Sequence, residues 1–297
     1  MIEYRRLDFS KDVDEVVSLI KRNLNPTYSQ DILRWKHLKS PFGPSVGLIA
    51  IEDEKIVGVV FAASYVFQNC NSNKLRSIRF FDACTEPDQR GKGIFKTLMK
   101  MAFDIYQGEI DFSFSNPNIA SLKGHLGVGY EEPEVKTFYR LGLLQPKFGN
   151  TPGVFKNFKP NILNGNPITT ADLYFAGNSL NFLNWRYRED RYIISEVRES
   201  EASPGNYIVH RIERRNGLKI IVLCDYFGEI NLLQKALNKV CRLEKTYFVY
   251  YLDNQLNNKL EFLYTKKNKR AVIVFKSYLN QLPKNIVITL GDLEGRL

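Results

Sequence analysis

The stretch Glu86-Pro87-Asp88-Gln89-Arg90-Gly91-Lys92-Gly93-Ile94-Phe95 constrains the fold more than any other part of the chain. Leu75 to Thr85 (LRSIRFFDACT) reads as a strand ahead of it, and Ile94 to Tyr106 (IFKTLMKMAFDIY) carries good helix formers with an apolar stripe behind it. Pro87 stops the strand and the glycines turn the chain. At such a junction free backbone N–H groups and the positive end of the helix dipole converge. The glycines let a ligand approach the main chain, so the turn suits a pyrophosphate. Arg90 and Lys92 add positive charge there. Spacing alone also fits a plain tight turn. No Gly-Lys-Ser/Thr follows, and no third glycine stands in register for a dinucleotide fingerprint, so mononucleotide hydrolysis and hydride transfer lose ground.

Around this junction the pattern reads as a mixed sheet with helices. Apolar residues from Lys11 to Leu24 recur at three- and four-residue steps, and a second helix fits Gln30 to Leu38. Val46 to Ile51 and Ile56 to Phe67 flank a polar turn as a hairpin. A strand at Asp111 to Phe114, a helix from Asn118 to Leu126 and a strand near Val135 to Leu141 follow. Four prolines (Pro146, Pro152, Pro160, Pro167) then mark a connector. The expected organisation is a unit over residues 1–144, a linker over 145–168 and a second unit over 169–297. In the second unit a helix is expected at Leu180 to Tyr187 and another at Glu229 to Arg242. Strands are expected at Tyr192 to Arg198, Asn206 to Glu213, Leu218 to Asp225, Tyr247 to Tyr251, Leu260 to Tyr264, Ala271 to Phe275 and Ile286 to Leu290. The element order partly repeats that of the first unit. The class is α/β of the α+β kind, since strands and helices do not alternate strictly.

Composition removes several functions. Cys70, Cys84, Cys224 and Cys241 form no CxxC pair, and His37, His125 and His210 stand at no metal-ligand spacing, which disfavours a metal site or a disulfide framework. No run approaches the roughly 18 apolar residues of a membrane span, and the N-terminus lacks the apolar core of a signal peptide, so a cytoplasmic location is expected. Lys plus Arg outnumber Asp plus Glu by 42 to 32, a net charge of +10 that favours an anionic partner without choosing one.

The run TEPDQRGKGIFKTLMKMA resembles the acyl-CoA-binding motif of the GNAT (Gcn5-related N-acetyltransferase) superfamily, in which a strand leads into Arg/Gln-x-x-Gly-x-Gly/Ala and a helix. Arg90 takes the first position and Gly93 the middle glycine, while Phe95 stands where a small residue is usual. A second resemblance lies at the family's spacing, in Asn118, Ser121, His125, Gly129 and Tyr130. Leu33-Arg34-Trp35-Lys36 with Pro41-Phe42-Gly43, and Phe182-Leu183-Asn184-Trp185-Arg186-Tyr187, are similar to GNAT proteins of bacterial surface-polysaccharide gene clusters.

The resemblance implies a GNAT-like mixed sheet flanked by helices, followed by a degenerate GNAT-like copy. Asp225-Tyr226-Phe227-Gly228-Glu229 carries acids where the copy should have its glycine turn, and acids at a helix N-terminus repel phosphate. It implies acetyl-CoA as acyl donor, with no metal. The donor would lie on the main chain of Ala83, Cys84 and Thr85 and on Gln89, Arg90, Gly91, Lys92, Gly93, Ile94 and Phe95. Asn118 and Ser121 would bind its pantetheine arm, although Asn118 equally fits a helix N-cap. His125 falls where relatives put a tyrosine that protonates the leaving sulfur; it reads equally as a helix-surface histidine. Tyr130 is a weaker substitute acid or a packing residue. Glu86 and Asp82 are the carboxylates placed to take the amine's proton, or else surface charges. Cys84 reads as an inert thiol. The acceptor would be a small-molecule amine such as an amino sugar, with nucleic acid disfavoured. The competing functions are a Fem-like transferase using aminoacyl-tRNA and a non-catalytic CoA-binding scaffold.

Overall fold

The structure, a computed structural model, describes residues 1–146, 155–158, 172–177, 179–198, 200 and 205–293. The expected connector at 145–168 lies mostly outside the described residues. The first half runs β1 (Glu3–Arg6), α1 (Val13–Asn23), α2 (Gln30–Leu38), β2 (Val46–Glu52), β3 (Lys55–Gln68), β4 (Lys74–Thr85), α3 (Ile94–Ile105), β5 (Phe112–Ser115), α4 (Ile119–Leu126) and β6 (Thr137–Leu144). The second continues with β7 (Phe155–Phe158), β8 (Tyr174–Ala176), α5 (Leu180–Arg186), β9 (Ile193–Val197), β10 (Asn206–Arg215), β11 (Leu218–Phe227) and α6 (Leu233–Leu243). It ends with β12 (Phe248–Leu252), β13 (Phe262–Ala271), β14 (Val274–Ser277), β15 (Ile286–Val287) and α7 (Leu290–Leu293).

Each helix has a local reason to form where it does. α1 buries Val13, Val16, Val17, Leu19 and Ile20 on one stripe, with Asp14 and Glu15 in its first turn and Lys21 and Arg22 in its last, both favourable to its dipole. Ser29 caps α2 by accepting from the Ile32 N–H at 3.2 Å. α3 packs Leu98, Met99, Ala102 and Phe103 against Leu48, Val60, Ala62 and Ile78 on one face of the first sheet. α1 and α2 cover its other face, where Val16, Ile20 and Leu33 meet Ile49, Val59 and Phe61.

The first sheet has the order β1-β2-β3-β4-β5-β14, with β8 and β15 alongside β3; the second has the order β13-β6-β12-β11-β10-β9-β7. The halves exchange strands. β6, from the first half, lies between β12 and β13, while β14, from the second, pairs antiparallel with β5. An aromatic cluster including Phe67, Phe112, Phe114, Phe182 and Tyr187 fills the space between the halves.

Three differences from the sequence reading have physical causes. β13 is one long strand in place of a strand over Leu260 to Tyr264, because residues 263–270 are exposed on an edge and carry no apolar alternation. The strand expected over Ile286 to Leu290 pairs only at Ile286 and Val287 before the chain turns into α7. There the Asp292 carboxylate accepts from the Thr289 N–H at 2.9 Å and the Thr289 hydroxyl accepts from the Asp292 N–H at 3.1 Å, a capping box. β1, β7 and β8 are too short to show a period in sequence.

The halves repeat one another in side chains as well as in order. Leu33-Arg34-Trp35-Lys36-His37 on α2 matches Leu183-Asn184-Trp185-Arg186-Tyr187 on α5. The two tryptophans meet: the Trp35 indole donates to the Trp185 carbonyl at 2.9 Å and the Trp185 indole to the Trp35 carbonyl at 3.0 Å. Asp82 and Asp225 each stand three residues beyond the last parallel pair of their strand, Arg79 with Phe114 and Val222 with Tyr250. We expect Trp185→Phe, which keeps a ring but deletes one of the reciprocal bonds, to lower unfolding free energy by about 1–2 kcal/mol in urea denaturation.

Candidate active site

A cavity of about 1000 Å³ opens where β4 and β5 part. Their parallel pairing ends at Arg79 with Phe114, yet β4 runs on to Thr85, so its edge over Phe80–Thr85 faces the cavity unpaired by β5. At one end lies the glycine turn. Gly91 and Gly93 have φ of +84° and +81°, the left-handed region that glycine adopts freely, and a Cβ at either would meet no atom within 4 Å. Gly93 is the N-cap of α3, and no side chain caps that helix. Its first N–H groups therefore stand at the cavity edge with Arg90, Lys96 and Lys123 around them.

At the other end sits Asp82, at φ +45° in an irregularity of the β3–β4 ladder. Its carboxylate accepts from Lys36 Nζ at 2.8 and 3.0 Å and from the Tyr28 hydroxyl at 2.6 Å, and it meets His37 Nε2 at 3.1 Å. His37 stacks on Phe61, ring centroids 3.8 Å apart, and its Nδ1 meets the Ser45 hydroxyl. Burial alone would push the Asp82 carboxyl up, but the Lys36 ammonium and His37 outweigh it, and the group sits well below the ordinary carboxylate range. Burial in turn lowers Lys36 and His37, with Asp82 pulling both back up.

Comparison with known proteins fits this geometry. A family model described as "Acetyltransferase (GNAT) domain" matches residues 3–131. This stretch is similar to a GNAT acetyltransferase domain. A GCN5-related N-acetyltransferase from Anabaena variabilis superposes with a TM-score of 0.72 at 12% identity, covering 93% of this chain and 72% of that one. A conserved protein of unknown function from Enterococcus faecalis, described as a probable N-acyltransferase, gives 0.70 at 13%, covering 93% and 73%. A tandem GNAT protein from the clavulanic acid biosynthesis pathway gives 0.55 at 12%, covering 93% and 98%. At such identities the likeness is one of fold, and it extends over both halves. No curated protein matches the chain.

The cavity gathers most of the residues expected from sequence. Ala83, Cys84, Thr85, Gln89, Arg90, Gly91, Gly93, Ile94, Phe95, Asn118, Ser121, Asp82 and His125 line it; Lys92, Glu86 and Tyr130 do not. Lys92 donates to Gln89 Oε1 at 2.6 Å. Glu86 turns away to α1, accepting from Arg22 at 2.5 Å and Asn23 at 3.0 Å. Burial raises its carboxyl but those bonds bring it below its ordinary value, which makes it a poor base. The Tyr130 hydroxyl bonds Ser113, and burial pushes it far above its ordinary value. Asn118 does cap α4, accepting from the Ser121 N–H at 2.8 Å. Burial, with Asp82 and Glu86 nearby, pushes the Cys84 thiol up to about 12, so it is no nucleophile.

His125 is packed between Phe95 and Tyr130, each with its ring 5.2 Å away. Its Nδ1 donates to the Ser121 carbonyl at 2.9 Å, which leaves the lone pair on Nε2, and Nε2 has no partner. Burial lowers its pKa, only partly offset by the Ser121 carbonyl, so the ring is neutral near pH 7 and Nε2 is a proton acceptor first. Phe95 fits beside the motif because α4 has Gly124 opposite it, where a Cβ would come within 2.7 Å of the ring.

Sequence reasoning missed Tyr28, Lys36 and Arg79 in the wall. The repeated Leu-x-Trp-cation-ring motif and an arginine amid Ile78, Phe80 and Phe81 were the available signals. Among the described residues no group of three or more His, Cys, Asp or Glu could hold a metal, and no helix is long and apolar enough to cross a membrane.

We expect Asp82→Asn to destabilise the fold by about 3–5 kcal/mol at pH 7, since it strands a buried ammonium. The folded carboxyl lies below its unfolded value, so this contribution is complete above about pH 4 and fades as pH falls further. The stability gap between the two proteins should therefore narrow in acid denaturation series.

Proposed function

We propose that this chain is an acetyl-CoA-dependent N-acyltransferase that acylates a primary amine of a small molecule, with one donor site, in the GNAT domain. The observation that carries the reading is the left-handed Gly91 and Gly93 turn leading into an uncapped helix at the mouth of the β4–β5 cleft. Room for a pyrophosphate exists there because neither glycine has a side chain in the space, and Arg90 and Lys96 supply countercharge. When bound, the donor supplies an acyl group activated as a thioester. The open main-chain edge of Ala83–Thr85 holds the pantetheine arm and polarises the thioester carbonyl, and Asn118 and Ser121 bind the arm from α4. A cytoplasmic location and an acceptor such as an amino sugar accord with the polysaccharide-cluster resemblance of Leu33–Lys36.

His125 moves the proton. As the amine nitrogen bonds the acyl carbon and the carbon–sulfur bond breaks, one proton must pass from nitrogen to sulfur. Nε2 takes it from the nitrogen and gives it to the thiolate, while the Ser121 carbonyl holds the ring through Nδ1. Asp82 stays ionised and bonded throughout, and acts by fixing Lys36, His37 and Tyr28 rather than as a base.

Gly93→Asp tests the donor site. Aspartate tolerates a left-handed backbone, so the fold should persist, but its charge would face the pyrophosphate. Calorimetric affinity for acetyl-CoA should fall by more than about tenfold; unchanged affinity in the folded variant would refute the site. His125→Ala should lower kcat by about a hundredfold or more with acetyl-CoA affinity intact. Because burial lowers the imidazole below its ordinary value of 6.5, the acid limb of kcat against pH should lie below 6.5 and vanish in the variant.

A further inference from the structure

α4 docks through a histidine. Of its eight residues only His125 is buried, while the apolar Ile119 and Leu126 are exposed. Burying Nε2 without a partner costs stability that a leucine or methionine at this position would avoid. Packing alone therefore does not account for a histidine there.

Gly124 carries a cost as well. Its backbone is not left-handed, so an alanine would suit the helix better. The obstacle is the Phe95 ring, whose Cδ1 and Cε1 atoms would lie 2.7 and 2.8 Å from a Cβ at position 124. Phe95 thus rests on a bare stretch of α4 beside His125, lining the same cavity, with the two ring centroids 5.2 Å apart. Tyr130 stands at the same distance from the imidazole. The cations on the surrounding elements are turned to other work: Lys96 of α3 lies over Gly127, Lys123 of α4 is exposed, and Lys276 of β14 donates to the Val128 carbonyl at 2.8 Å. Tyr130, the titratable ring against His125, bonds Ser113. Burial lowers the imidazole and the Ser121 carbonyl raises it; among the described residues no charged side chain contributes.

We propose that Phe95 is a positioning residue for His125: seated on Gly124, its ring fixes the imidazole and keeps water from it, so that Nε2 meets the amine with its lone pair free. This rests on the reading of the chain as an N-acyltransferase in which His125 moves the proton. The bare Gly124 is what admits the ring, so the two residues act as a pair.

Proton resonances of the imidazoles in the full chain test this without any acceptor, and His125→Gln identifies the signal among the three histidines. In the wild type it should titrate below 6.5. Phe95→Ala should move it up toward 6.5, because water then reaches the ring, and Phe95→Leu, which refills part of the space, should leave it between the two. Thiol release from acetyl-CoA is followed alongside, with glucosamine as acceptor or with water if the sugar is refused. In Phe95→Ala the acid limb of kcat against pH should move with the resonance. The plateau kcat should fall by about tenfold or more, further than acetyl-CoA affinity does. Gly124→Ala should lower kcat when Phe95 is present and not in Phe95→Ala, where the space is free. An imidazole that titrates alike in the wild type and the folded variants overturns the proposal, as does donor affinity that falls as far as kcat, or a Gly124→Ala loss indifferent to Phe95. Should Phe95→Ala fail to fold, Phe95→Leu decides by the same titration. An unmoved titration in a chain that still loses activity in His125→Ala removes the role of Phe95 alone. A moved titration with an unmoved kcat profile, or no thiol release with either acceptor, removes the reading beneath and the proposal with it.

Discussion

The bonds to Asp82 hold the first half's working geometry together, because they join the strand that must open to the helix that must stay close. β4 can leave its parallel neighbour only if the main chain beyond Arg79 is held by something other than β5. The carboxylate does this through Lys36, His37 and Tyr28, all from the α2 region. A residue other than glycine at φ +45° is strained, and that strain persists because three partners fix the side chain. The same bonds explain why Asp82 is unsuited to proton transfer: a carboxylate stabilised this strongly gives up its basicity.

The repeat shows how one architecture serves two ends. Each half carries a Leu-x-Trp-cation-ring helix beside a buried aspartate, and the tryptophans lock the halves through reciprocal bonds. In the first half the glycine turn survives and the cleft is open. In the second, α6 follows a short 3-10 turn over Ile230–Leu232 rather than a left-handed glycine pair, and α7 fills the space at Asp225. The filled half still matters to the open one. Leu293 of α7 lines the cavity, and β14 closes the sheet beside β5. Neither sheet is complete without the other half of the chain.

Much of this was legible in sequence where local signals were strong. α2 is found over Gln30–Leu38, where the sequence reading fits a second helix, and the strand–turn–helix junction stands where Pro87 and the glycines place it. The strand exchange was not legible, since β6 and β14 carry the same alternation whichever sheet receives them. α7 was read as strand because Ile286 to Leu290 is β-branched, and the capping box that Thr289 and Asp292 form showed only in three dimensions. At the cavity, the main-chain positions that line the wall from Ala83 to Phe95, Lys92 and Glu86 excepted, followed from the motif. Side-chain roles did not: Glu86 is held by Arg22, Tyr130 is buried against Ser113, Lys36 comes from a segment whose motif named a resemblance without a chemistry, and Arg79 from a strand that carried no motif.

The central claim is that this chain repeats one fold and retains a single donor site, at the Gly91–Gly93 turn. Isothermal titration of the intact chain with acetyl-CoA tests it most directly. The account predicts one equivalent bound per chain. Two equivalents would mean that the second half binds donor despite its filled cleft, and no binding at all would mean that the open cleft serves some other ligand; either result contradicts it.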